Sequence, residues 1–80
     1  MNVSRRIEWA KFYSEETGEA FYIGLSVSVK ELLRFDEARH KAEAKAWARK
    51  VDSEAIFEGW ETPPTDAVTY YAQDFEDLKD

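Results

Sequence analysis

The 80-residue sequence contains no cysteine, and it has only one histidine, three glycines and two prolines. Without cysteine the chain forms no disulfide, has no thiolate nucleophile and cannot build a Cys/His zinc site. Its glycines, Gly18, Gly24 and Gly59, fit no Walker or dinucleotide-binding motif, which excludes the common phosphate-binding loops. We therefore expect no catalytic residue, no metal and no cofactor, and a protein that is not an enzyme.

Long apolar segments are also missing. The basic N-terminus leads into the charged segment 7–11, where a signal peptide would have an uncharged apolar stretch. No apolar run approaches the roughly 20 residues that span a bilayer. Together with the absence of cysteine, these features predict a small cytoplasmic protein that does not bind membranes.

His40 and the acids of residues 74–77 are the first candidates for catalysis or metal binding, but neither fits a catalytic or metal-binding pattern. His40 is the first candidate for general acid–base catalysis, but it lies between Arg39 and Lys41 in a charged helical segment, where a packing or surface role fits better. The dense acidic stretch 74–77 lacks the glycine and the distal glutamate of a calcium loop. Neither group predicts a site.

The chain is rich in aromatic residues, at 15% of the sequence, and they begin in strand-like alternation. Residues 7–13 place Ile7, Trp9 and Tyr13 on one side of a strand, with Ala10 and Phe12 on the other. Residues 20–27 alternate too, and one of their faces carries Phe21, Ile23, Leu25 and Val27. The polar segment 14–19 between these runs predicts a β-hairpin.

A helix follows, because residues 37–49 are almost all strong helix formers. Its start is open between two alternatives. In the first, Ser28 caps a helix that begins at Val29. In the second, the sheet extends through residues 29–35 as a third strand, and Asp36 caps a helix from Glu37 to about Val51.

Strand-like composition returns at residues 55–60 and 67–72, with Pro63 and Pro64 between them. Since two prolines do not fit inside a central strand, the pair predicts the turn of a second hairpin. Residues 73–80 suit a short terminal helical turn or a tail held by two apolar contacts. The predicted fold is one α+β domain over residues 1–80, ββ-α-ββ, with an antiparallel sheet of about four strands and one long helix packed on one face.

Charge is distributed unevenly along the chain, whose net charge is −6. Residues 30–51 carry seven basic and four acidic side chains, whereas residues 52–80 carry one basic and nine acidic side chains. Acidic surfaces steer association with basic partners, and exposed aromatic side chains anchor such interfaces. The candidate protein-binding residues are the acids and aromatics of this segment: Glu54, Glu58, Glu61, Asp66, Asp74, Glu76, Asp77, Asp80, Trp60, Tyr70 and Tyr71.

Three interpretations of these charges stay open. In the first, Glu54, Glu58 and the acids flanking the second hairpin form a regular array that imitates a nucleic-acid backbone and occupies a basic surface of a protein. In the second, the basic helix and the sheet aromatics bind nucleic acid directly, although the net negative charge counts against this. In the third, the acids only keep the protein soluble. The asymmetry also permits a weak homodimer instead of a monomer.

Two further features carry a resemblance. One is the Phe35-Asp36-Glu37-Ala38 start of an alanine-rich helix, and the other is the acidic C-terminal segment from Gln73 to Asp80. In a short chain without cysteine, these features resemble the small acidic proteins of phages and other mobile elements, especially anti-CRISPR inhibitors. These share no common motif, so no residue role is transferred. The resemblance implies a stoichiometric inhibitor in the host cytoplasm that binds a CRISPR effector complex and blocks target DNA. The strand-then-helix order also looks like the arm-binding domains of phage integrases, which favours direct nucleic-acid binding.

Overall fold

The computed structural model describes residues 5–32 and 34–72. Their strands and helices, in chain order, are β1 (Arg5–Ser14), β2 (Ala20–Ser28), α1 (Val29–Leu32), α2 (Glu37–Val51), β3 (Ala55–Trp60) and β4 (Thr69–Tyr71). The α+β class is confirmed, as is a four-stranded sheet with one long helix packed on it. Within the described residues, no helix has the length and apolar character needed to cross a membrane.

The first hairpin forms as the alternation predicts. β1 and β2 pair antiparallel from Arg5 opposite Ser28 to Tyr13 opposite Ala20, and Gly18 supplies the φ of 77° that the turn requires. One face of this pair is buried beneath α2, in a core with these members: Ala10, Phe12, Phe21, Ile23, Leu25, Val27, Ala44, Trp47, Ala48, Ala55 and Ala72. The helix therefore covers the face that carries the alternating apolar residues of β2.

Each alternative for the start of the helix holds in part. β2 ends at Ser28, and the four-residue helix α1 follows at Val29, so the prediction of a strand there is wrong. α2 is a separate helix that begins at Glu37. Asp36 caps it, as the second alternative predicts, by accepting a hydrogen bond from the Arg39 N–H at 3.1 Å.

The predicted second hairpin is wrong, because β3 and β4 lie at opposite edges of the sheet in the order β3-β1-β2-β4. β3 pairs antiparallel with β1, but β4 pairs parallel with β2, so the sheet is mixed and not purely antiparallel. The first hairpin has two free edges, and each later strand satisfies the backbone groups of one. Residues 61–68 are thus a connection from one edge to the other, and the two prolines mark this connection.

That connection runs over the face of the sheet opposite α2, which we call the open face. Glu61 at its start donates its N–H to the Trp9 carbonyl at 3.0 Å, and Val68 at its end accepts from the Tyr22 N–H at 2.9 Å. Between them, the hydroxyl of Tyr22 lies 3.4 Å from a Glu61 carboxylate oxygen. Tyr22 is consequently only 4% exposed although α2 lies on the opposite face.

Gly24 lets a tryptophan cross the open face. A Cβ at Gly24 would lie 2.8 Å from Cζ3 of Trp9 and 2.9 Å from Cγ2 of Ile7, closer than packed atoms allow. The indole passes over β2 at this point and reaches Tyr71 on β4, with ring centroids 5.2 Å apart. The absent side chain at Gly24 therefore allows β1 and β4 to be linked across β2.

We predict that Gly24→Ala lowers the free energy of unfolding by roughly 1–3 kcal/mol, the usual cost of inserting a methyl group into a packed site. Urea denaturation checks this value. The matched control is the same substitution in a Trp9→Val background, where the clash with the indole is gone and the clash with Ile7 remains, so the cost should fall. An equal cost in both backgrounds would show that the indole is not the cause.

Candidate protein-binding surface

The structure places the predicted site residues in several different environments. Glu54, Glu58, Glu61 and Asp66 have exposed side chains, whereas Trp60 and Tyr70 are half-buried. Tyr71 is 40% exposed, on the open face. The four remaining candidates, Asp74, Glu76, Asp77 and Asp80, lie outside the described residues.

The even array of acids expected along the third strand is interrupted. Glu54 lies in the turn before β3, and Glu58 lies at a register shift, because Lys11 pairs with Gly59 while Phe12 pairs with Phe57. One extra residue on β3 bends the strand and breaks the two-residue alternation of its side chains. Glu54 and Glu58 are therefore not consecutive members of a regular row.

Glu61 is engaged with its own chain. Its carboxylate lies 3.7 Å from the Lys11 ammonium, with the Glu61 side chain 56% exposed. This carboxylate is the main cause of a raised pKa at Lys11, with smaller contributions from Tyr22 and Glu58. Because its charge is partly balanced by Lys11, Glu61 contributes less to an acidic surface than its sequence position suggests.

Two of the aromatic candidates stabilise the fold. The indole N–H of Trp60 donates to the Glu37 carboxylate at 3.1 Å, and its ring contacts Phe57 edge-to-face with centroids 5.7 Å apart. Tyr70 packs against the buried ring of Phe21, centroid to centroid 6.1 Å. Trp60 thus joins β3 to the start of α2, and Tyr70 joins β4 to the core.

Folding creates an acidic cluster that sequence reasoning missed. The turn between β1 and β2 carries Glu15, Glu16 and Glu19, and the Glu15 N–H donates to the Glu54 carbonyl at 3.2 Å. This bond sets that turn beside the one between α2 and β3. We call the combined surface the acidic end, and its carboxylates belong to Glu15, Glu16, Glu19, Asp52 and Glu54.

The two turns of the acidic end contain no basic residue, in segments 14–20 and 52–55. The acids of the first turn lie far from residues 52–80 in the sequence, so a count of charge along the chain does not group them with Asp52 and Glu54. The polar composition of residues 14–19 was visible, but nothing local indicated which later segment would lie beside it.

Asp52 is held in place by both turns. Its carboxylate accepts from the Glu54 N–H at 2.8 Å. A hydrogen bond with the buried Ser14 hydroxyl, together with the one from Glu54, lowers the pKa of Asp52. The Ser14 oxygen in turn accepts from the Thr17 N–H at 3.2 Å. Ser14 therefore connects the β1–β2 turn to the end of α2.

A cavity of about 160 Å³ opens beside the acidic end, where the β1–β2 turn, the end of α2 and the approach to β4 meet. Its lining combines four apolar or aromatic side chains with carboxylates, hydroxyls and a small residue: Phe21, Val51, Val68, Tyr70, Glu19, Asp52, Ser14, Thr17 and Ala20. The acidic end thus has a recess as well as an exposed charged surface.

The basic side chains of α2 lie along the helix up to its last turn, where Arg49 and Lys50 come directly before the acidic end. Arg39, Arg49 and Lys50 are exposed along α2, and the Lys41 ammonium lies 5.1 Å from the centre of the Phe57 ring. The exposed aromatic Tyr71 belongs to the open face, on the other side of the sheet from α2. The basic helix and the exposed aromatic therefore do not share one surface.

His40 serves packing. It is buried, its Nδ1 lies 2.8 Å from the Asp36 carbonyl, and its ring stacks on Phe35 with centroids 4.5 Å apart. Among the residues that the structure describes, no group of three or more His, Asp or Glu residues is arranged to hold a metal ion.

We predict that Ser14→Ala raises the pKa of Asp52 toward its ordinary value of 3.8, because it removes the hydrogen bond from the Ser14 hydroxyl, which is the main cause of the lowered pKa. Titration of the side-chain carboxyl by NMR measures this directly, with Asp36 as the internal control. A lowered folded-state pKa stabilises the fold above the unfolded pKa and ceases to do so as the pH falls through the folded pKa. The stability difference between the two proteins should therefore narrow in acid, and an unchanged Asp52 pKa would contradict this account.

Known proteins provide no match from which a function could be transferred to this chain. No protein-family model matches the chain, and neither the curated proteins nor the solved structures contain a significant match. No residue role is therefore transferred from a relative, and the function is inferred from the acidic end and its surroundings.

Proposed function

We propose that the protein is a non-enzymatic inhibitor that binds the basic surface with which another protein holds nucleic acid, and so blocks that surface. A CRISPR effector complex is the partner that the resemblance of the sequence implies. The single observation that supports this proposal is the acidic end, where one backbone hydrogen bond, from Glu15 to Glu54, sets two acidic turns side by side.

The carboxylates of the acidic end sit on fixed backbone. In the β1–β2 turn, the Ser14 N–H donates to the Glu19 carbonyl at 2.9 Å and the Gly18 N–H donates to the Ser14 carbonyl at 2.7 Å. An ordered turn loses little conformational entropy when it binds. The charges can therefore act together on a partner without first being ordered by it.

The chemistry of the partner follows from that of the surface. Proteins that bind nucleic acid present lysine and arginine side chains to the phosphates. A compact group of carboxylates attracts the same side chains, speeds the encounter, and loses this advantage as salt screens the charges. In this proposal the protein imitates the charge of a nucleic acid with a cluster of carboxylates at one end of the sheet, and not with a regular row of carboxylates along a strand.

Direct nucleic-acid binding is the weaker proposal. Exposed Arg39, Arg49 and Lys50 are suited to phosphate contacts, but stacking of bases requires exposed aromatic rings close to such cations. Among the residues 5–32 and 34–72, the exposed aromatic is Tyr71, and it lies on the other side of the sheet from α2. This mode would thus lack the stacking contacts that usually accompany the basic surface.

The test is competition for DNA. We expect the protein at equimolar concentration to release labelled duplex from a purified CRISPR effector complex, measured by fluorescence anisotropy at low and at high salt. Glu15→Gln, Glu16→Gln and Glu54→Gln combined should weaken binding roughly 3- to 150-fold, from about 0.2–1 kcal/mol for each exposed ion pair. Raising the salt concentration should weaken the unsubstituted protein in the same direction.

The matched control replaces the same number of charges on α2, with Arg39→Gln, Arg49→Gln and Lys50→Gln combined. It should compete as well as the unsubstituted protein or better. If this control fails and the acidic variant succeeds, the basic helix is the functional surface. If both variants equal the parent, the acids serve only solubility.

A further inference from the structure

The cavity beside the acidic end has the size of a side-chain pocket. Its volume is about 160 Å³, whereas sites for cofactors and drug-sized molecules measure roughly 300–1,000 Å³. Two of its walls are fixed by the fold, since Phe21 belongs to the core and Val68 accepts a hydrogen bond from the Tyr22 N–H at 2.9 Å. A single side chain from a partner is therefore a better match than a free cofactor.

The charges of the cavity are of one sign. Glu19 and Asp52 are its charged lining residues, and the other polar groups are the hydroxyls of Ser14 and Thr17. Asp52 is oriented by the Glu54 N–H at 2.8 Å, and hydrogen bonds from Ser14 and Glu54 lower its pKa, so its carboxylate is ionised at neutral pH. This arrangement selects a positively charged group.

The position of the cavity favours a cation for a second reason. Val51 is the last residue of the 15-residue helix α2, and Asp52 is its C-cap. The last carbonyl groups of a helix carry partial negative charge, which attracts cations. The helix end and the two carboxylates thus act in the same direction, and Arg49 and Lys50 in the last turn of α2 offset part of this attraction.

The apolar lining of the cavity indicates which kind of cationic ligand it can bind. Phe21, Val51, Val68 and Tyr70 provide apolar and aromatic surface, which suits the methylene stem of a long basic side chain. A guanidinium fits better than an ammonium, because it is planar, is weakly hydrated, stacks on aromatic rings and donates to two carboxylates at once.

We propose that this cavity receives an arginine side chain of the basic partner, with the guanidinium between Glu19 and Asp52 and the stem against the apolar wall. The inference rests on the proposed function, for which it names the anchoring group. It turns a general attraction between charged surfaces into recognition of one side chain at a defined place.

The first experiment titrates N-acetyl-arginine amide into the full-length protein and follows the backbone amide resonances by NMR. We expect saturable shifts confined to residues 14–21, 51–52 and 68–70. N-acetyl-citrulline amide, which has nearly the same shape without the charge, should cause none, and the lysine amide should bind more weakly. Equal binding of the citrulline and arginine amides, or no saturable shift up to the solubility limit of the arginine amide, would overturn the proposal.

Variants separate the cavity from the overall acidic field. Glu16 is the matched control for Glu19, since both are exposed in the same turn but only Glu19 lines the cavity. Glu19→Gln should weaken arginine-amide binding roughly 1.4- to fivefold, the range of an exposed ion pair, and Glu16→Gln, which removes the same charge without lining the cavity, should weaken it clearly less. Similar losses in both variants would mean that the general field attracts the amide, which refutes the site.

A filling variant separates this inference from the proposed function. Val68 lines the cavity and is 51% exposed, so we expect Val68→Phe to fill the cavity with little effect on the core. It should abolish arginine-amide binding and weaken competition with DNA for the effector. If competition is unaffected while the acidic variant fails, the cavity proposal falls and the function stands. If the amide binds as predicted but no effector is inhibited, the function falls and the arginine site stands.

Discussion

The antiparallel pairing of β1 with β2 is the constraint on which the rest of the structure depends. Its register places Phe12 opposite Phe21 and Ala10 opposite Ile23, so one face of the hairpin is apolar and receives α2. A slip of one residue would turn these side chains of one strand to the other face. β3 adds to the free edge of β1 and β4 to that of β2, while the turn of the hairpin contributes half of the acidic end.

The two faces of this sheet are filled in different ways. α2 covers one face with a packed core, whereas the 61–68 connection and the contact from Trp9 over Gly24 to Tyr71 partly cover the other. A three-residue parallel strand such as β4 makes few backbone hydrogen bonds, so side-chain contacts help to hold it. The aromatic residues expected to anchor a partner are thus largely committed to the fold, and we therefore propose the carboxylates and the cavity as the recognition surface.

Charge acts through space and not along the chain. Counting along the sequence concentrates the negative charge in residues 52–80, but the fold sets Glu54 beside Glu15 and sets Glu61 beside Lys11. The first contact strengthens the negative field at one end of the sheet, and the second weakens it elsewhere. The geometry is therefore more consistent with a compact acidic surface than with a regular array of carboxylates that imitates the phosphates of a nucleic acid.

The sequence by itself determined the first hairpin and the helix over residues 37–49, because alternation and helix propensity depend on residues only a few positions apart, and it left Ser28 and Asp36 as alternative caps. It also determined the acidic composition of both turns. Only the tertiary structure decided the strand order, the parallel pairing of β4, the irregularity at Glu58 and the cavity between Glu19 and Asp52. The hairpin offers two edges to any later strand, and the choice between them depends on contacts between segments distant in the sequence, which no local pattern encodes.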